Sequence, residues 1–218
     1  MKLCYDKCEV KTMKKPDISF IEKTFLKDEI NNETIQFKHF ENEYIFDSHQ
    51  SHHEIKNCLF EGITMEECKE EDSYFLDVVF QNCDLSNMLF YACLFRRVQF
   101  INCKLMGTDF SESMFDQVYF KECSCRFANL AFMKNKETHY QQCDFTQASI
   151  IETNLKKSTF QECTFHQCEL QHAPLYQIDL SSCDLNNIIT TPQDIQGAII
   201  DSYQAASLIH LLKVKIKE

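Results

Sequence analysis

Thiols bind soft metals, cross-link as disulfides and act as nucleophiles, so the thirteen cysteines of this 218-residue chain are its first candidates for chemistry. Their spacing argues against all three uses. Structural zinc needs clustered pairs such as C-x-x-C, and the chain contains none. Instead Cys83, Cys103, Cys123, Cys143, Cys163 and Cys183 recur at intervals of twenty residues. His49, His52 and His53 are the other concentration of ligand-type side chains, in the stretch Phe46 to His53. No cysteine or carboxylate set at ligand spacing accompanies them, so an irregular, solvated loop near 46–54 is the expectation there. The chain has only three glycines and no phosphate-cradling loop, no nucleophile elbow and no His-Glu-x-x-His pair. These absences point away from an enzyme and from any cofactor or metal.

The elements that position the thiols follow from a five-residue period. Between Ile55 and Leu185 there are 27 positions whose numbers divide by five, and 22 of them are Phe, Leu or Ile. Fifteen of the 19 Phe residues fall in this register, counting Phe20, Phe25 and Phe40. Helices repeat at 3.6 residues and flat strands at 2, so neither produces such a pattern. A short fixed period is the mark of a solenoid whose stacked turns bury a continuous core. Two residues before each large one sits a compact residue, as in Cys83, Ser113, Ala128, Cys143 and Ala173. Eleven cysteines, all but Cys4 and Cys125, occupy this compact register, where a buried thiol acts as a small hydrophobe. Gln50, Glu70 and Asn135 break the large register without shifting it. A bare buried charge at Glu70 would be too costly, so it must turn outward on a bulge or find hydrogen bonds inside.

These units resemble pentapeptide repeats, with Cys often in place of alanine and Phe in place of leucine, as in Cys143-Asp144-Phe145-Thr146-Gln147. The resemblance implies an all-β fold: a right-handed quadrilateral β-helix with four pentapeptides, or twenty residues, per coil. That coil predicts like-on-like columns, and the sequence supplies them. Besides the cysteine column, Val78, Val98 and Val118 align, as do Phe60, Phe80, Phe100, Phe120, Tyr140 and Phe160. Coils are expected to begin near Ile18-Ser19-Phe20, after a Lys-rich lead or cap over 1–16 in which Cys8 and Val10 fit the register. The β-helix then occupies 17–190.

Residues 191–218 form a different segment. Pro192 interrupts the repeat, Asp201 or Ser202 can cap a helix running to about Leu212, and Val214 and Ile216 alternate with lysines as a short strand. Ala205, Leu208, Ile209 and Leu212, with Leu211 beside them, make an apolar face that could cap the last coil or pair with a second copy. The run Thr191-Pro192-Gln193-Asp194-Ile195-Gln196-Gly197, followed by Ser202-Tyr203-Gln204-Ala205-Ala206 and Leu211-Leu212, resembles the C-terminus of Qnr-type quinolone-resistance proteins, closest to chromosomal members of Gram-positive bacteria. Lys213 stands where that family places a glycine. The resemblance implies a homodimer joined through Ala205, Leu208, Ile209, Leu211, Leu212, Val214 and Ile216. It also implies a rod like duplex DNA in width and charge, which binds DNA gyrase or topoisomerase IV and shields it from fluoroquinolones; the breadth of the repeat family leaves as the alternative a scaffold or immunity protein with a different protein partner.

Charge constrains the partners. The net charge of −11 disfavours direct binding of nucleic acid and suits a basic partner. Residues 41–77 alone hold eleven carboxylates against Lys56 and Lys69, a net of −9. Glu61, Glu66, Glu67, Glu70, Glu71 and Asp72 are the candidate topoisomerase contacts within it. Arg96, Arg97, Lys134, Lys136, Lys156 and Lys157 fall on one face of the winding and predict a basic strip there. The reduced thiols and the lack of a secretory signal or membrane-length apolar run predict a cytoplasmic protein.

Overall fold

Stacking of every twentieth residue is the geometry found. The computed structural model describes residues 13–212. Five strands of eight residues, Glu54–Glu61, Tyr74–Gln81, Leu94–Ile101, Met114–Lys121 and Lys134–Gln141, pair in parallel and lead a nine-stranded sheet. Their register is the predicted one: Phe95 lies between Phe75 and Phe115, and Phe100 between Phe80 and Phe120. Each long strand bends round one corner and so makes two faces of the coil. The other two faces are narrower and pair through short strands or single bridges, such as Asp84 with Lys104 and Asp109 with Asn129. The product is a β-solenoid, all-β apart from two short α-helices and a 3-10 turn.

The corners explain the exact five-residue beat. With the exception of Phe20, every positive-φ residue has a number ending in 2 or 7, two places after an axial side chain. Left-handed backbone turns the chain through each corner. Asn, Asp and Gly take it cheaply, but Phe127, Phe132 and Arg97 hold it as well, at a cost of about 1–2 kcal/mol each that the packed faces offset.

The axis is filled with rings. Phe80 and Phe100 stack at 4.9 Å between centroids, Phe100 and Phe120 at 4.8 Å, and Tyr140 and Phe160 at 5.0 Å. Adjacent columns meet edge to face, as Phe90 does Phe95. Such pairs are favourable beyond their buried area. Val78, Val98 and Val118 are fully buried beside them.

The chain departs from the sequence-based expectations at both ends. Phe20 is 94% exposed and Phe25 is 58% exposed, so neither is axial. Glu22–Lys23 pairs with Lys38–His39, sixteen residues on rather than twenty, and a helix at Leu26–Glu29 replaces part of the first coil. Leu26 and Ile30 enter the core instead, and the Glu43 carboxylate accepts the Leu26 N–H at 2.6 Å to cap that helix. The expected loop near 46–54 is absent. Tyr44–Phe46 and His49–Ser51 are strands paired with Thr64–Glu66 and Lys69–Glu71, because Ile45 and Ile55 keep the axial beat on either side of Gln50. At the far end pairing continues past Leu185: Asp179 bridges to Ile199, and Ile195 and Ile200 pack against the core. The expected single helix to Leu212 is split into an α-helix, Ser202–Ser207, and a 3-10 turn, Ile209–Leu212. Cys4, Cys8 and Val10, and the expected strand with Val214 and Ile216, lie outside the described residues.

Candidate functional site

A consistent hydrogen bond explains why the compact register favours Cys, Ser and Thr over a bare hydrophobe. The Cys83 thiol points at the Phe60 carbonyl, Cys103 at Phe80, and Cys123 at Phe100, each at 3.4 Å. The hydroxyls of Thr108, Ser113 and Thr153 donate in the same way to Leu85, Phe90 and Leu130, at 2.7–2.8 Å. In every case the acceptor is the axial residue 23 positions earlier. Each of these six side chains therefore satisfies a carbonyl of the coil beneath it. All eleven cysteines among the described residues are free and buried, Cys125 included. Burial pushes the Cys58 thiol up to about 11 and the Cys93 thiol up to about 12, away from the thiolate that metal binding or nucleophilic attack requires. Among the described residues no group of three His, Cys, Asp or Glu side chains is arranged to hold a metal.

Glu70 resolves inward. It is 4% exposed, with its carboxylate 3.2 Å from His53 Nδ1 and accepting the Ser73 hydroxyl at 3.0 Å. His53 sits in the compact register and is buried as well, so only His49 and His52 of the three histidines are exposed. A polar node thus stands where the next coil has Phe90 and Cys93. Glu70 cannot touch a partner and leaves the candidate contact set. Asn135 takes the other route. It is half-buried at a bulge in Lys134–Gln141, where the pairing with Met114–Lys121 slips, and its Oδ1 accepts the Thr138 hydroxyl at 3.2 Å. Gln50, also half-buried, donates to Asn31 and Ser48.

The remaining acidic candidates do not form one patch. Glu66 lies on one face, Glu61 on the preceding one and Glu71 on the following one, with Glu67 and Asp72 at successive corners. Glu61 is half-buried against His39, whereas Glu66, Glu67 and Asp72 are exposed. Glu66 accepts the Tyr44 hydroxyl. Among the described residues Glu66, Glu67, Glu71 and Asp72 have no ion-pair partner, so the N-terminal coils carry a wrap of uncompensated negative charge.

The basic strip is largely neutralised. Arg97 forks onto Asp77, with nitrogens at 2.7 and 2.6 Å from the two carboxylate oxygens, and Asp77 also accepts the Asp17 amide. Arg96 and Lys136 share Asp116. Only Lys134, Lys156 and Lys157 of the six stand without an ion pair among the described residues. The side chain of Gln99, at an outward position, is also buried, between Val79 and Tyr119 in the ladder.

The C-terminal helix closes its own coil. Gln204 is buried and donates to the carbonyls of Leu180 and Cys183 at 2.8 and 2.5 Å. It thereby replaces the compact side chain that a further coil would have supplied to Leu180. Asp201 completes a capping box with Gln204. Leu208 packs into the core and Leu211 lies against it, whereas Ala205 and Ile209 are exposed. The apolar face expected of Ala205, Leu208 and Ile209 is therefore divided between cap and surface. The side chain of Leu212 lies outside the described residues.

These features define a β-solenoid with a filled axis. Sequence comparison names the class: the pentapeptide repeat region matches residues 73–138, and pentapeptide repeats (8 copies) match 136–167 and 148–187. The matches cover more than half of the chain, which belongs to the pentapeptide-repeat family. No curated protein matches it. Among solved structures, it is similar to a trypsin-treated variant of QnrB1, a plasmid-mediated fluoroquinolone resistance protein, at 20% identity and TM-score 0.47, over 83% of this chain and 90% of that one. Full-length QnrB1 gives 16% and 0.39, over 81% and 100%. HetL, a heterocyst differentiation regulator from the cyanobacterium Nostoc, gives 10% and 0.28, over 79% and 93%. No helix among the described residues is long and apolar enough to cross a membrane.

Proposed function

We propose that this chain is a non-enzymatic, Qnr-type binding protein of the cytoplasm that engages DNA gyrase or topoisomerase IV and protects it from fluoroquinolones. The observation that carries this reading is the wrap of solvent-facing, unpaired carboxylates on the N-terminal coils of a narrow, regular rod. A groove that binds duplex DNA presents basic residues at short intervals, and exposed carboxylates on successive faces of a rod complement it. The C-terminal signature from Thr191 to Leu212 supports the same assignment. In this reading the contacts are Glu66, Glu67, Glu71 and Asp72, with Glu61 at the margin. Ala205 and Ile209, together with Val214 and Ile216, join two copies end to end.

The test is supercoiling by purified gyrase with the chain added, in the presence and absence of ciprofloxacin. Relief of drug inhibition supports protection. Inhibition without drug, and no relief with it, makes the protein a competitor of DNA rather than a protector. Absence of any effect at micromolar protein assigns the rod to another partner. Converting Glu66, Glu67, Glu71 and Asp72 to Lys abolishes gyrase binding if the wrap is the contact; unchanged affinity at low salt rejects it.

A further inference from the structure

One face of the rod is built to meet its own copy. It is the face whose axial residues are Phe75, Phe95, Phe115, Asn135 and Leu155. Its middle presents half-buried apolar side chains to the outside: Tyr74, Leu76, Leu94 and Met114. Glu71 and Asp72 lie at the N-terminal end of this stripe, on and beside the bordering corner. Lys134, Lys156 and Lys157 lie at its C-terminal end, all three exposed. None of these five charges has an ion-pair partner among the described residues, although Arg96, Arg97, Lys136, Asp77 and Asp116 between them are paired. Apolar middle and charged rim is the anatomy of a protein interface.

The basic end is also where the winding is broken. The slip in pairing sets Asp116 opposite Glu137 instead of Lys136. Glu137 and Lys157 are not among the left-handed corner residues, although Asn57, Asp77, Arg97 and Gln117 in the same column are. The bulge costs a core hydrogen bond. The Ser158 hydroxyl is buried without a partner, and the acceptor that the 23-residue rule would give it is the carbonyl of Asn135, the bulged residue. A register break that sacrifices a core bond and presents lysines is the kind of local exception that function accounts for.

We propose that two copies associate side by side and antiparallel through this face. A two-fold axis between the coils of Arg96 and Asp116 exchanges the coil of Tyr74 with that of Lys134, and so places Glu71 and Asp72 of each copy beside Lys134 of the other. It also brings Arg96 near Asp116 of its mate, and apolar stripe against apolar stripe. The partner is a second copy because both halves of the complementarity are on one chain, at separations that a two-fold exchanges. This contact is closed and isologous, and distinct from the end-to-end association proposed above; because it covers Glu71 and Asp72, it and their contact with a topoisomerase exclude one another.

A zero-length carbodiimide cross-link on an equal mixture of light and heavy-isotope chains tests it. Within one chain the two charge groups are three or more coils apart, roughly 14 Å or more at strand spacing, beyond reach of such a link. Expected are light–heavy cross-links joining Lys134 to Glu71 or Asp72, lost when salt shortens the Debye length to about 3 Å. The variant Lys134→Glu, Lys156→Glu, Lys157→Glu should weaken this association at least about tenfold in sedimentation, and adding Glu71→Lys and Asp72→Lys should restore it. Absence of those cross-links at low salt, or a triple variant that sediments as the parent does, overturns the proposal. Retention of duplex DNA by the lysines, lost in the triple variant and without cross-links, overturns it in favour of a nucleic-acid partner.

Discussion

The coils from Phe75 to Phe120 and the coil beneath them share one winding but are held together by different forces. In the first, Phe75, Phe80, Phe90, Phe95, Phe100, Phe110, Phe115 and Phe120 are fully buried and touch along the axis and across it. In the second, one axial place is Glu70 and the one below it is Gln50, and His53 and Ser73 complete a polar node. Dispersion between rings is spread over many individually small contacts, whereas a buried carboxylate is tolerable only while both partners stay in place. The middle of the rod is therefore the robust region. The N-terminal coils, which also carry the uncompensated charge, are the region whose integrity depends on single side chains.

The largest effect should come from the middle. Phe100→Ala removes a ring stacked on both sides and leaves a cavity that flanking coils cannot close, so unfolding in urea should show a loss of about 3–5 kcal/mol. Phe40, with a ring on one side only, at 5.0 Å from Phe60, should cost less. Equal losses would mean that stacking through the rod does not matter.

Next comes the polar node. Glu70→Ala strands the His53 imidazole in the core, while the Ser73 hydroxyl keeps the Glu71 carbonyl and the His53 N–H, and should cost about 3 kcal/mol by thermal or urea unfolding. The double variant Glu70→Phe, His53→Cys reproduces, with Ser73, the set of Phe110, Cys93 and Ser113 two coils up and should recover most of that loss. Failure to recover would show that the node has a role in shaping the N-terminal coils that apolar packing cannot fill. Gln204→Ala, which frees the Leu180 and Cys183 carbonyls at the opposite end, should cost about 1–2 kcal/mol.

Chemical access tests the comparison without mutation. Burial raises the thiols of Cys58 and Cys93 to about 11 and about 12, so at pH 8 almost none of either is thiolate. The native rod should leave all eleven of the buried thiols unlabelled by a disulfide reagent. Labelling in rising urea should reach Cys58 and Cys68 before Cys103 and Cys123, if the N-terminal coils open first.

What the sequence makes legible follows from what the period can carry. Phe80, Phe100 and Phe120 recur because every coil presents the same cavity, so the axis, the coil length and the cysteine column are all readable from spacing. The acidic wrap is readable as composition but not as geometry, since Glu70 differs from Glu66 and Glu71 only in register, and register said that it should be inside. The helix at Leu26–Glu29 is hidden because Phe20 and Phe25 mimic the axial beat while facing solvent. The bulge at Asn135–Lys136 leaves one trace, the polar side chain at axial place 135, which fits a bulge or an inward hydrogen bond equally well. Its extra residue is absorbed before Thr138, which pairs with Val118 in the ordinary register, and every later repeat stays in phase. The carbonyl-satisfying role of the compact residues could have been suspected from the mixture of Cys, Ser and Thr there, three small side chains that share a donor.

That role supplies the smallest and sharpest test. Ser113 and Ser158 are both buried compact serines. Ser113 donates to the Phe90 carbonyl at 2.7 Å, so Ser113→Ala should cost about 1–2 kcal/mol by leaving that acceptor bare. Ser158 has no partner because the bulge has moved Asn135 away, so Ser158→Ala removes a desolvated hydroxyl and should be neutral or stabilising by up to about 1 kcal/mol. The two changes delete the same atom from the same register, so any difference in unfolding free energy measures the two inter-coil bonds of Ser113 together, the one it donates to the Phe90 carbonyl and the one it accepts from the Cys93 N–H at 3.0 Å. A matching loss at both sites would mean that Ser158 finds its acceptor after all, and that the bulge is tighter than its pairing implies.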